Sequence, residues 1–254
     1  MRFASLGSGS EGNALVVEAG CTRLMLDCGF GIGETTLRLA RLGLEPGDLE
    51  AIIVTHEHGD HVGGVERLAR RHAIPVYLTS GTLTALDSSR RSLEQVTIID
   101  SHTPFAVGDI EVRPYPVPHD AREPAQFVFG DGRAALGVLT DAGSSTPHIE
   151  SMLSGLDALV IECNHDLELL EKSGYPPLLK QRIAGRFGHL DNGAAATLLA
   201  SLDRSRLKHV VAAHLSQQNN TPELARAALS RVLDCDPRWV EVADQRGGCA
   251  WLSI

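Results

Sequence analysis

The apolar runs of this chain are short, and turn residues or isolated polar side chains cut them off, a pattern that favours strands alternating with helices over long bundled helices. Arg2–Leu6, Ala14–Glu18 and Arg23–Asp27 are separated by Gly-Ser-Gly-Ser-Glu-Gly and Ala-Gly-Cys, which predicts a strand meander at the opening of a sheet. Helical spacing over Gly33–Leu42, a short buried strand at Ala51–Val54 and a helix over Val62–Arg71 follow. Further strands are expected at Val76–Leu78, Val96–Asp100, Ile110–Pro116, Gln126–Phe129, Ala134–Thr140 and Ala158–Glu162, with helices near Ile149–Leu153 and Asp166–Lys172. The pattern then turns helical at Leu178–Phe187 and Asn192–Leu202. A strand Lys208–Ala213, a helix Thr221–Leu233 and short strands near Trp239–Val242 and Ala250–Leu252 complete it.

This order fits a pseudo-symmetric pair of βα halves, and the layered solution it favours is α/β, an αββα four-layer sandwich with both sheets covered by helices. No low-complexity linker interrupts the 254 residues, so one domain over 1–254 is expected. With 43% hydrophobic and 22% charged residues the composition is that of a globular protein. No apolar run approaches the roughly 20 residues of a membrane helix, and MRFASLGSGSEG lacks a signal-peptide core, which makes the cytoplasm the expected compartment. Cys21, Cys28, Cys163, Cys235 and Cys249 are odd in number and form no C-x-x-C pair, so they read as reduced core thiols. A net charge of −9 opposes nonspecific adhesion to nucleic acid; a phosphate substrate would need a local basic surface or a metal.

Chemistry concentrates in Thr55-His56-Glu57-His58-Gly59-Asp60-His61, which follows one expected strand and precedes an expected helix. A mixed imidazole and carboxylate set suits zinc, manganese or iron. On an extended segment His56 and His58 point to one side, and a turn at Gly59 sends Asp60 and His61 to a second, adjacent point, so two neighbouring metal positions follow. A solvated histidine-rich loop would explain the cluster alone. It would not explain why His119, Asp141 and His214 each close a further expected strand.

The run THEHGDHVGG resembles the H-x-H-x-D-H signature of metallo-β-lactamase-fold hydrolases, and Asp27, His119, Asp141 and His214 fall where that superfamily's other motifs lie. The resemblance implies one metal held by His56, His58 and His119, another held by Asp60, His61 and His214, and Asp141 bridging them. It makes Asp27 a carboxylate behind the ligands that orients the His/Asp loop. LGSGSEGN (Leu6–Asn13), GHLDN (Gly188–Asn192) and HLSQQNNTPE (His214–Glu223) look most like the YycJ-like (WalJ-like) branch, whose members are regarded as exonuclease-type phosphodiesterases. GHLDN carries Asp191 where serine is expected in close relatives. The chain is too short to hold an inserted β-CASP domain of the RNA-processing type.

Two metals roughly 3.5–4 Å apart can hold a bridging water and lower its pKa into the neutral range, so hydrolysis through a metal-bound hydroxide is expected, with Asp60 aligning the attack. No serine or cysteine nucleophile is required. The Gly7–Asn13 loop reads either as a tight turn or as an anion-binding nest in which Ser8, Ser10 and Asn13 meet the substrate. His189 follows Lys180, Arg182 and Arg186 and precedes a helix start at Asn192, so it reads either as a backbone-bonded residue at the helix entry or as the group that protonates a leaving oxygen, with Arg182 and Arg186 at the substrate. His72, His102, His148, His165 and His209 read as surface or structural. The favoured function is a phosphodiesterase or exonuclease acting on DNA with two divalent transition metal ions, zinc or manganese. The alternatives are a thioesterase or lactonase of the glyoxalase-II type, which also carries THxHxDH, and a metal-bound regulatory module without catalysis.

Overall fold

Alternation along the strands sorts side chains between two apolar environments instead of between core and water. The computed structural model describes residues 1–86 and 93–254. Its first half runs β1 (Arg2–Gly7), β2 (Ala14–Ala19), β3 (Thr22–Leu26), α1 (Ile32–Arg41), β4 (Ala51–Ile53), α2 (Gly59–Val62), α3 (Val65–His72), β5 (Val76–Thr79), α4 (Ser80–Ala85) and β6 (Val96–Ile99). The second runs β7 (Phe105–Val107), β8 (Ile110–Pro116), β9 (Ala125–Gly130), β10 (Ala135–Leu139), α5 (Pro147–Leu153), β11 (Ala158–Glu162), α6 (Leu167–Lys172), α7 (Pro177–Ile183), α8 (Asn192–Ser201), β12 (His209–Ala213) and α9 (Pro222–Leu233), then β13 (Glu241–Val242) and β14 (Leu252–Ser253).

Two seven-stranded sheets result, ordered β14-β1-β2-β3-β4-β5-β6 and β13-β12-β11-β10-β9-β8-β7. Each begins antiparallel and becomes parallel, at β3–β4 in one sheet and at β10–β11 in the other. Leu15 and Val17 of β2 point between the sheets, where they meet Phe127 and Phe129 of β9 and Val160 of β11. Val16 points the opposite way into a core with Leu39 of α1 and Leu68 of α3, and Leu159 and Ile161 of β11 meet Leu198, Leu199 and Leu229 of α8 and α9. Both faces of the central strands are thus covered, the condition under which strands read as unbroken apolar runs. The αββα sandwich is the observed architecture. Among the described residues no helix is long and apolar enough to cross a membrane.

Most of the expected elements appear within a residue or two. The helix expected over Val62–Arg71 is instead two, broken at Gly63–Gly64, because the Gly29–Phe30 backbone passes so close that a Cβ on Gly64 would collide with the Phe30 carbonyl. The helix expected over Leu178–Phe187 stops at Ile183, and Gly185 and Gly188 turn the chain back toward it. Trp239 belongs to a 3₁₀ turn, Pro237–Trp239, and not to a strand. Strand β7 and helix α4 have no counterpart among the expected elements. All five cysteines are free, but only Cys28 and Cys163 are buried, and Cys21 is exposed.

Close backbone approach makes Gly64 irreplaceable, whereas a Cβ on Gly33, near the start of α1, would meet nothing within 4 Å. Gly64→Ala should therefore cost about 1–3 kcal/mol, the usual penalty for overpacking. Gly33→Ala should be neutral or stabilise by up to about 1 kcal/mol. Urea unfolding of the two variants checks both signs.

Candidate metal centre

The carboxyl ends of strands in both sheets deliver the site. Strand β4 runs into Thr55 and His56, the turn at His58 caps α2, and α2 presents Asp60 and His61. His119 follows β8, Asp141 follows β10 and His214 follows β12. Of the five described non-glycine residues with positive φ, Ala73 and Asp234 cap helices; the others are Asp27 (φ 58°), Asp141 (φ 51°) and His214 (φ 55°). In each of these three the backbone turns sharply beyond the strand and aims a side chain into the same space.

His56 Nε2 and His119 Nε2 lie 3.0 and 3.2 Å from His58 Nδ1, one convergent trio. His61 Nε2 and His214 Nε2 each lie 3.5 Å from Asp60 Oδ2, a second trio. Asp141 stands between them, with Oδ2 3.0 Å from His61 Nε2 and Oδ1 3.9 Å from His119 Nε2. All seven sequence-predicted ligands are brought together.

The outer nitrogens fix the tautomers. His61 Nδ1 donates to Asp27 Oδ2 at 2.7 Å, His214 Nδ1 to Glu162 Oε1 at 3.0 Å and His119 Nδ1 to the Gly188 carbonyl at 3.0 Å. Thr55 Oγ1 gives its proton to Asp27 Oδ2 at 2.8 Å and so accepts from His56 Nδ1 at 2.9 Å. In the neutral ring, the form a metal ligand requires, each donation leaves the Nε2 lone pair facing the centre. Asp27 also accepts from the Thr55 backbone at 2.8 Å, so it holds the loop as expected.

Burial dominates the electrostatics. It pushes His56 well below the ordinary imidazole value, helped by the His61 charge, and lowers His119 too. On His214 burial acts the same way, but Asp141, Asp60 and Glu162 outweigh it and raise the ring to about 10. His61 is likewise raised against burial by Asp141 and Asp27. Burial alone would raise the carboxylates; instead their imidazole partners hold Asp60 and Asp141 low and Glu162 at about 2. The field at this point demands positive charge. Asp141 Oδ2 is buried without a hydrogen-bond donor, which fits a cation in contact with it. The donor set, imidazole nitrogens with carboxylates, suits a divalent metal.

The cavity over this cluster holds about 430 Å³ and is lined by four of the candidate ligands, His58, Asp60, Asp141 and His214, with Asp120, His189 and, from α7, Leu179, Arg182 and Ile183; Ser10 reaches it too. A larger hollow of about 650 Å³ between Leu202–Leu207 and Val232–Trp239 contains none of these ligands. His189 Nδ1 donates to Glu162 Oε1 at 2.8 Å; burial works against its charge, but Glu162 and Asp141 raise it above the ordinary imidazole value. Asp191 caps α8 by accepting from Gly193 and Ala194 backbone N–H groups, a role a serine would also fill.

Other expected contacts fall elsewhere. Ser8 and Asn13 are buried behind the ligands: Ser8 Oγ accepts from the His214 backbone at 2.8 Å, and Asn13 Nδ2 lies 3.3 Å from Asp60 Oδ2. The loop is not an open anion nest, because the N–H groups of Gly7, Ser8, Gly9, Glu11, Gly12 and Asn13 are all taken by protein acceptors. Of the three loop residues only Ser10 lines the cavity. Arg182 donates to Asp120 Oδ2 at 2.6 Å at the cavity mouth, whereas Arg186 lies outside the lining with its guanidinium over Phe187. Lys180 donates to the Glu171 carbonyl. His165, expected to be surface or structural, is fully buried. Sequence reasoning missed Glu162 and Asp120. Glu162 closes an apolar strand just as His119, Asp141 and His214 do, and that signal would have found it.

Residues 22–214 match the family described as the beta-lactamase superfamily domain. Exodeoxyribonuclease YycJ of Bacillus anthracis is 36% identical over 236 residues, covering 92% of this chain and 89% of its own. Exodeoxyribonuclease WalJ of Streptococcus pneumoniae is 33% identical over 232 residues, 90% of this chain and 86% of its own. Among solved structures, the metallo-beta-lactamase fold protein YhfI from Bacillus subtilis superposes with a TM-score of 0.75 at 14% identity, over 99% of both chains. The Zn(2+)-bound PqqB from Methylobacterium extorquens gives 0.74 at 16%, over 100% of both. These structures share the fold, the two relatives share sequence along nearly their whole length, and the chain accordingly belongs to the beta-lactamase superfamily and, within it, to the family of the YycJ and WalJ exodeoxyribonucleases.

Proposed function

We propose that this chain is a metal-dependent phosphodiesterase that removes nucleotides from the free end of DNA at a two-metal site. The observation that carries the reading is the His189–Glu162 pair, which sets a protonatable imidazole in the same cavity as the metal ligands. The substrate class follows the exodeoxyribonuclease relatives.

His56, His58 and His119 would hold one divalent ion, Asp60, His61 and His214 the other, with Asp141 shared. Geometry supports that number: the His56, His58 and His119 atoms converge at one point and those of Asp60, His61 and His214 at another beside it. Zinc and manganese both suit the ligands. When bound, such ions polarise a phosphoryl oxygen and acidify water into the neutral range. The protein's own part is positional. Asp27 and Thr55 keep the His/Asp loop in register, and Glu162 binds His214 and His189 through one oxygen while its other accepts from Ala142 and Leu190. With Nδ1 committed to Glu162, His189 has Nε2 left to give a proton to the departing sugar oxygen.

Metal analysis of the saturated protein should give about two ions per chain, as the two-metal arrangement requires. Asp60→Ala should lose the second ion and all turnover while keeping the parent's fold by circular dichroism. One tight ion in the parent, or normal hydrolysis by the folded variant, contradicts the site.

His189→Ala should separate two substrates. A sugar alkoxide profits from a delivered proton and nitrophenolate does not, so DNA turnover should fall about 10²–10⁴-fold in kcat while bis-p-nitrophenyl phosphate keeps most of its rate. Parallel losses would argue against the acid role. A thioester turned over in preference to bis-p-nitrophenyl phosphate would return the reading to the thioesterase class.

Linear single-stranded DNA should be degraded and closed circular DNA left intact, with rates falling as salt is added because a −9 chain can meet the DNA backbone only through a local basic patch. Equal cutting of the two forms contradicts an exonuclease.

A further inference from the structure

Helix α7 buries none of its side chains, although Pro177–Ile183 includes Leu178, Leu179 and Ile183. A helix with aliphatic residues at this spacing ordinarily lays them on the core. Here Leu179 and Ile183, four positions apart and so on one face, line the metal cavity, with Arg182 beside them. Arg182 Nε donates to Asp120 Oδ2 at 2.6 Å, and Asp120 directly follows the ligand His119, so the ion pair pins this face of the helix toward the ligands. His58, Gly59, Asp60, Asp141 and His214 line the same cavity.

The cavity therefore joins a part suited to an anion with a part made of aliphatic carbon. Phosphate or a small ester would meet only the former and leave the latter in water. A volume of about 430 Å³ lies in the range of sites that enclose a whole small molecule. The ligand that satisfies both parts is a phosphodiester carrying a flat, weakly hydrated body, which for a DNA-cleaving enzyme is a nucleoside.

We propose that Leu179 and Ile183 form the nucleoside-contacting wall of the site, packing on the sugar and base beside the scissile phosphate and so selecting nucleotides over simple phosphodiesters. This rests on the phosphodiesterase reading above. Contact through aliphatic carbon reads no hydrogen-bond pattern, so the wall accepts each base in turn as an end is trimmed.

The test compares substrates with one leaving group. Thymidine 5′- and 3′-(p-nitrophenyl phosphate) carry the nucleoside; methyl p-nitrophenyl phosphate does not. In Leu179→Ser/Ile183→Ser, KM for whichever thymidine ester the parent prefers should rise about tenfold with little change in kcat, and the methyl ester should be cleaved as by the parent. The Kd of thymidine monophosphate should rise by a similar factor while that of inorganic phosphate stays constant. Leu179→Met/Ile183→Leu, which keeps the aliphatic surface, should behave as the parent. Equal losses on the thymidine and methyl esters, or no loss on the thymidine ester, would overturn the proposal. Equal losses together with an altered oligomeric state in gel filtration would assign the α7 face to a second copy of the chain. A parent that cleaves both esters while the variant loses both equally refutes the wall alone; a parent that cleaves neither ester nor DNA refutes the phosphodiesterase reading, and the wall with it.

Discussion

Like charge is the constraint around which this molecule is arranged. Asp27, Asp141 and Glu162 are almost wholly buried at the shared edge of the two sheets, and Asp60 sits beside them half-buried. Carboxylates taken from water without partners would take up protons instead of keeping their charge. Imidazole partners hold Asp60, Asp141 and Glu162 low, and Asp141 Oδ2, left without a donor, is placed to meet a cation. The chain concentrates this cost where the strand ends of both sheets can contribute.

Neither half of the chain owns the centre. The first half of the chain supplies His56, His58, Asp60 and His61, and the second supplies His119, Asp141, Glu162, His189 and His214. Polar contacts near the centre cross between the halves: Ser8 behind β1 accepts from the His214 backbone, and the Ala125 backbone donates to the Thr55 carbonyl beside the His/Asp loop. Between the sheets the apolar layer of Leu15, Val17, Phe127, Phe129 and Val160 sets their separation. A change in that layer would act on the distance between ligands without touching any of them, since close-packed interiors transmit displacement.

Much of this could be read from residue order, and the reasons differ from element to element. The ligand loop was legible because His56, His58, Asp60 and His61 are local; His119, Asp141 and His214 because each interrupts an apolar strand. Glu162 closes one in the same way and carries the same signal; what residue order does not show is that His214 and His189 share its oxygen. The glycine loop left a tight turn and an anion nest both open, for a physical reason. Its composition advertises free N–H groups, and only the fold reveals that Gln245, Asp244 and Asp60 consume them from distant parts of the chain. The break between α2 and α3 was hidden likewise, since the collision it avoids is with Phe30, far away in sequence. Local chemistry was readable, and long-range competition for the same atoms was not.

The left-handed backbone at Asp27, Asp141 and His214 has a thermodynamic consequence. Such a conformation costs a non-glycine residue on the order of 1 kcal/mol or more, and here it falls on side chains that glycine cannot replace. The fold thus carries, in its empty form, both bent backbone and crowded negative charge at one place, and a cation that binds only the folded chain offsets that burden by mass action. Occupancy and folding become a single linked equilibrium. Chelation then withdraws more than a reagent for hydrolysis: it leaves behind a protein that is less stable as well as inactive, and therefore more open to proteolysis wherever the metal is scarce.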